Sequence, residues 1–239
     1  MTTKKRILFL GASITQGKIS VSYVKMLKEK LGTAYYEYIN HGVAGYEAYN
    51  VLVKLDKAID VKPDFVVLLV GTNDVTSSLD PVLAVRTRKW KHIPHEPKLE
   101  NYSNNITAII RKLKRETNAT LALASLPVIG ENLESAENKA LDQYNKALKQ
   151  IADQENVCYI PVNERQKAFL IERNGGSGKE AANSTKMAFQ SLFRHYFLFE
   201  SLDRISRRNG FLLLTDGIHQ NSTGAKMIAE EILKNISFK

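Results

Sequence analysis

The chain has 239 residues, 44% hydrophobic and 25% charged, with a formal net charge of +9 at pH 7. Those proportions exclude a wholly disordered chain and fit one globular α/β domain, which at this length buries roughly 70% of its unfolded surface. The single cysteine, Cys158, excludes an intrachain disulfide and a cysteine-rich metal cluster, and no run approaches the roughly 18 apolar residues of a membrane span.

The positive charge favours encounter with anionic surfaces or substrates and says little about fold. Met1–Arg6 is basic like the start of a secretory leader. Only Ile7–Leu10 follow as an apolar run before Gly11, too few for a leader's hydrophobic region, so a cytoplasmic location is expected.

Ile7-Leu8-Phe9-Leu10 ends at Gly11 and gives way to Ala12-Ser13-Ile14-Thr15-Gln16-Gly17, the pattern of a buried parallel strand running through a tight loop into a helix. Such a loop lifts a hydroxyl into the crevice at the carboxyl ends of the strands, where open α/β sheets bind ligands. Ser13 is therefore a candidate nucleophile, against the plainer reading of a capping serine. Gly11 and Gly17 are too far apart for a dinucleotide loop. Ile19 stands where a phosphate-binding loop needs the Ser or Thr that holds magnesium.

Val21, Val24, Leu27 and Leu31 recur at helical spacing, with Gly32 closing the segment. Tyr35–Ile39 alternates as a second strand and ends in Asn40-His41-Gly42-Val43-Ala44-Gly45, whose glycines allow backbone amides to approach a ligand. A helical stretch follows through Val51, Leu55 and Ile59. Phe65–Val70 is the most hydrophobic strand and is expected at the centre of the sheet. It ends at Gly71-Thr72-Asn73-Asp74, where the Asn73 amide can face a developing oxyanion or serve as an ordinary turn residue.

Residues 76–99 carry three prolines and the basic run Arg86–His92, and read as a loop insertion. The run is expected to be solvated, with contact to an anionic substrate or headgroup as the alternative. No nucleic-acid motif accompanies it. A helix marked by Tyr102, Ile106, Ile109 and Leu113, a strand over Thr120–Ala124, a helix through Leu141, Tyr144, Leu148 and Ile151, and a strand over Val157–Pro161 complete an alternating pattern. That pattern predicts a doubly wound parallel sheet, with Cys158 in the core.

Asn174–Lys179 reads as a flexible loop. It leads to a helical segment with Met187, Phe189, Phe193, Tyr196, Phe197 and Phe199, which suits a lid, an acyl pocket, a homo-oligomer surface over 187–199, or a buried helix. Phe211–Leu214 then enters Thr215-Asp216-Gly217-Ile218-His219, and a last helix runs through Ile228, Ile232 and Ile236. Asp216 can reach Nδ1 of His219, leaving Nε2 to take a proton from a nucleophile.

Gly11-Ala12-Ser13-Ile14-Thr15, Asn40-x-Gly42-x-x-Gly45, Gly71-Thr72-Asn73-Asp74 and Asp216-Gly217-Ile218-His219 resemble the four ordered blocks of the SGNH hydrolases, also called GDSL-type esterases and lipases. The resemblance implies a flavodoxin-like three-layer α/β/α sandwich around a mainly parallel five-stranded sheet, as one domain over residues 1–239 with insertions at about 76–99 and 172–208. It implies Ser13 as nucleophile, His219 as base and Asp216 as its orienting acid. The amides of Ser13 and Gly45 and the side chain of Asn73 would form the oxyanion hole. No cofactor or metal is implied. The expected partner is a small-molecule ester (an acetyl ester, a short-chain ester or a lysophospholipid), with neither nucleic acid nor stable membrane insertion. An O-acetyltransferase using the same residues and a silent carbohydrate- or lipid-binding module are the alternatives. The chain departs from the pattern at Ala12, where the family has Asp, and in the long 172–208 segment.

Overall fold

The computed structural model describes residues 3–173, 178–181 and 184–238. In chain order, β1 (Lys5–Gly11) leads into the short α1 (Ser13–Gln16) and then α2 (Tyr23–Leu31), and β2 (Tyr36–Gly42) is followed by α3 (Ala48–Val53) and α4 (Leu55–Ile59). Next come β3 (Phe65–Leu69), α5 (Thr72–Leu79), α6 (Pro81–Lys91) and α7 (Leu99–Glu116). The second half supplies β4 (Thr120–Ala124), α8 (Ala136–Gln154), β5 (Cys158–Ile160), α9 (Val162–Ile171), α10 (Ser184–Phe197), α11 (Leu202–Asn209) and α12 (Ser222–Asn235).

The five strands form one parallel sheet in the order β2-β1-β3-β4-β5. Alternate side chains of each central strand enter opposite layers, because successive residues of a strand face opposite sides. Leu8, Leu10, Val66 and Leu68 pack with Val51, Leu55, Ile106, Ile109 and Leu148 on one face. Ile7, Phe9, Phe65 and Val67 pack with Leu27, Ile228 and Ile232 on the other. Every residue of β3 is buried, as its unbroken apolar run requires. Truncating one of these fully buried residues, such as Leu8 or Ile109, would cost about 2–5 kcal/mol.

Chain order reverses between β1 and β3, so the connections from their carboxyl ends leave on opposite sides and open a crevice there. Ser13 and Asn73 follow directly from those two strand ends. β2 runs three residues beyond the expected Ile39, because Asn40, His41 and Gly42 keep pairing with Phe9, Leu10 and Gly11.

Two stretches differ from expectation. Residues 76–99 are mostly helical rather than a loop: α5 runs to Leu79, and Asp80 then accepts from the N–H groups of Val82 and Leu83 at 2.9 and 3.0 Å to cap α6, with Pro81 as its first residue. α6 buries none of its residues, so it carries no amphipathic signature. In the 172–208 stretch the expected helical segment forms as α10, with α11 after it. A buried α10 is ruled out, since Phe189, Phe193 and Phe197 are 71%, 55% and 71% exposed. Met1 and Thr2 at the leader-like start, and Asn174–Ser177 of the expected flexible loop, lie outside the described residues. Cys158, expected in the core, is half-buried because β5 is an edge strand; its thiol donates to the Asn235 carbonyl at 3.3 Å. Among the described residues, no helix is long and apolar enough to cross a membrane.

Candidate active site

The turn after β1 requires glycine at its first position. A Cβ on Gly11 would collide with the Thr15 side chain and the Leu69 carbonyl oxygen, so only hydrogen allows β1, β3 and α1 to close together. Ser13 then opens α1 and is 7% exposed. Asn40 ties the second block to this turn, donating to the Thr15 carbonyl at 2.7 Å while its own oxygen accepts from the Gly42 N–H at 2.8 Å. Ala12 is also buried, and its methyl puts no carboxylate beside Ser13.

Ser13 Oγ lies 2.8 Å from His219 Nε2 across 206 residues of chain. On the other side of the ring, Nδ1 lies 2.8 Å from Oδ2 and 3.0 Å from Oδ1 of Asp216. A carboxylate only accepts, so Nδ1 carries the proton and Nε2 presents its lone pair to the serine hydroxyl. Asp216 is fully buried, and its Oδ1 also accepts from the backbone N–H groups of Ile218 (3.1 Å) and His219 (2.9 Å). These bonds fold the short Asp-to-His turn onto itself. An antiparallel bridge between Leu214 and Gln220, and a 2.6 Å bond from the Thr215 N–H to the His219 carbonyl, close its base.

A residue that sequence reasoning missed supports this loop. Glu131 is completely buried and its carboxylate accepts from three successive N–H groups, those of Leu212 (2.8 Å), Leu213 (2.7 Å) and Leu214 (3.3 Å). The neighbouring Gly130 N–H donates to the Gly217 carbonyl at 2.7 Å. The apolar run 211–214 thus satisfies its donors without joining the sheet. No local sequence signal pointed to Glu131, because its partners lie 81 to 83 positions away.

Gly45 and Asn73 follow β2 and β3, the strands on either side of β1. Gly45 has φ +73°, and Asn73 Nδ2 donates to the carbonyl of the adjacent Tyr46 at 2.8 Å. The structure therefore brings Gly45 and Asn73 into one loop assembly at the carboxyl ends of the strands that flank β1. Asp74, also buried, accepts from the Ala48 N–H at 3.2 Å through both oxygens, and Ser77 donates to Glu47 at 2.8 Å. Lys91, from the end of α6, turns inward and donates to the Gly45 carbonyl. The basic run is thus not wholly solvated.

Burial holds the Glu47 carboxyl above its ordinary range, and burial together with Glu47 holds Asp74 well above its own. Burial pulls the Lys91 ammonium down, against the two carboxylates that favour its charge. Among the described residues, no group of three or more His, Cys, Asp or Glu is placed to hold a metal ion.

The model of the GDSL-like lipase/acylhydrolase family matches residues 9–227. An acetylxylan esterase from Geobacillus stearothermophilus is 24% identical over 182 residues, covering 69% of this chain and 78% of that protein. Among solved structures, the acetyl xylan esterase AlAXEase superposes with a TM-score of 0.70 at 21% identity, over 96% of this chain and 98% of the other. LAE5, an alpha/beta hydrolase enzyme from the metagenome of Lake Arreo in Spain, gives 0.68 at 17% identity, over 98% and 95%. At such identities the structural matches speak to the fold, which is the three-layer arrangement described above. With the family model covering nearly all of the chain, the protein belongs to the GDSL-like lipase/acylhydrolase family and is a carboxylic ester hydrolase.

Proposed function

We propose that this protein is a serine esterase that removes acetyl groups from an acetylated carbohydrate through an acyl-enzyme on Ser13. The observation that carries the reading is the unbroken hydrogen-bonded line from Asp216 through His219 to Ser13. Ser13 Oγ attacks the ester carbonyl while His219 Nε2 takes its proton, and the buried Asp216 carboxylate stabilises the resulting imidazolium. His219 then protonates the leaving alcohol. A water molecule, deprotonated by the same nitrogen, releases acetate and restores the serine.

The tetrahedral oxyanion would be held by the backbone N–H groups of Ser13 and Gly45 and by Asn73 Nδ2. That nitrogen has two hydrogens; one engages the Tyr46 carbonyl, and the other is available to the oxyanion. Acetyl as the acyl group, and a carbohydrate as the alcohol, rest on the likeness to the Geobacillus acetylxylan esterase. Ala12 leaves the Ser13 to His219 contact intact, which weighs against a silent binding module.

Intact-mass measurement after treatment with a fluorophosphonate tests the activated serine. One adduct per native chain is expected, and none on Ser13→Ala, whose turnover of 4-nitrophenyl acetate should fall by about 10⁴-fold or more. A folded native chain that takes no adduct would remove Ser13 from its role.

A further inference from the structure

The basic stretch Arg86–His92 carries the chain's one tryptophan, Trp90, and nothing in the catalytic chemistry uses it. Its side chain is 79% exposed, on a helix that buries none of its own residues. A single exposed aromatic needs no explanation on an arbitrary surface. Trp90 is not on an arbitrary surface, because the next residue is tied to the active site.

Lys91 Nζ donates to the Gly45 carbonyl, and Asn50 Nδ2 donates to the Lys91 carbonyl at 3.4 Å, so the end of α6 is fastened to the loop that follows β2. The same Lys91 nitrogen stands 5.8 Å from the centre of the Trp90 ring and 5.8 Å from that of Tyr46. Adding one hydrogen bond places the indole within about 9 Å of the Gly45 carbonyl oxygen. On the esterase reading, an ester whose carbonyl oxygen meets the Gly45 amide has its alcohol part in this neighbourhood, and that separation is comparable with the span of one or two sugar rings.

We propose that Trp90 is the stacking platform for a sugar ring in the alcohol part of the substrate. This rests on the esterase reading above. A pyranose with mostly equatorial hydroxyls presents a face of C–H groups. Laid on an indole, that face removes apolar surface from water on both partners while the hydroxyls at its edge stay solvated. The rigid, two-torsion side chain orders at small entropic cost, and the tether through Lys91 holds its distance from the oxyanion residue.

Because Trp90 is the only tryptophan, intrinsic fluorescence reports on this position alone. Titrating Ser13→Ala, which binds without turnover, with a partly acetylated xylo-oligosaccharide should give a saturable change in emission, and ethyl acetate should give none. In the native background, Trp90→Ala should lower the ratio of kcat/KM for the oligosaccharide to that for 4-nitrophenyl acetate about three- to tenfold, chiefly through KM. Trp90→Phe should recover part of the loss. Flat emission together with an unmoved ratio, in a protein that still labels at Ser13, would overturn the platform while leaving the esterase. A protein that neither labels nor cleaves either ester would fail the esterase reading instead, and the emission titration would then decide sugar binding by itself. If Trp90→Ala instead lowers the sedimentation coefficient to that of a smaller species, a second copy of the chain covers the ring and the proposal fails.

Discussion

The two sides of the candidate site are built in opposite ways. Asp216 and His219 are three residues apart in a turn closed by backbone bonds, and that turn meets the rest of the chain through the Ser13 contact, the Gly130 N–H on the Gly217 carbonyl and the Glu131 carboxylate under the amides that lead into it. The side that carries Gly45 and Asn73 is gathered from the ends of β2 and β3 and from α6, and is held through the buried titratable groups Glu47, Asp74 and Lys91. Local geometry sets the Asp216-to-His219 pairing itself. The second depends on titratable groups whose charged forms burial disfavours, so it is where pH and remote substitutions should be felt.

The largest expected effect belongs to the acid–base side. In Asp216→Asn, the amide oxygen can still accept from the Ile218 and His219 N–H groups, so the turn should persist. Its NH₂ would face Nδ1, forcing the proton onto Nε2 and away from its use as a base. Turnover should fall on the order of 10⁴-fold with little change in Tm. A tenfold loss or less would mean that the Asp216 to His219 bond matters for the fold and not for the tautomer.

Asn73→Ala comes next. Losing one donor to the oxyanion should cost about 10² to 10³ in kcat, and leaving the Tyr46 carbonyl without its partner should cost about 1–2 kcal/mol of stability. Full activity in this variant would take Asn73 out of the oxyanion hole. A larger loss than in Asp216→Asn would reverse the ranking of the two sides.

The smallest effect concerns stability. Asp74 has a raised pKa in the folded chain, so folding takes up a proton. The stability it contributes is full below the unfolded carboxylate pKa and is lost as pH rises through the raised folded value. Asp74→Asn should therefore flatten the fall of Tm as pH rises above about 4, the ordinary carboxylate pKa. Parallel Tm profiles for the two chains would show that buried charge does not distinguish the oxyanion side.

Legibility followed the range of the interactions. The alternation of strands and helices, the central β3 and the Asp216-to-His219 pairing could be read because each rests on spacing within a few residues. The basic, proline-flanked sequence of α6 has no apolar stripe and so reads as a loop; the Asp80-Pro81 cap is the one local signal of a helix. The aromatic side chains of α10 suggested burial among several readings. Its face is left to solvent, since apolar composition does not say which surface a helix meets.

The sequence by itself determined the order of the strands along the chain, the turn glycine at Gly11, and the identity of the residues that meet at the crevice. Tertiary structure alone decided that Glu131 would catch three amides 81 to 83 positions away and that Lys91 would turn from a solvated run toward Gly45. The physical reason is one of partners. A buried carboxylate or ammonium needs a specific donor, acceptor or counter-charge, and only the folded chain settles which distant atom supplies it.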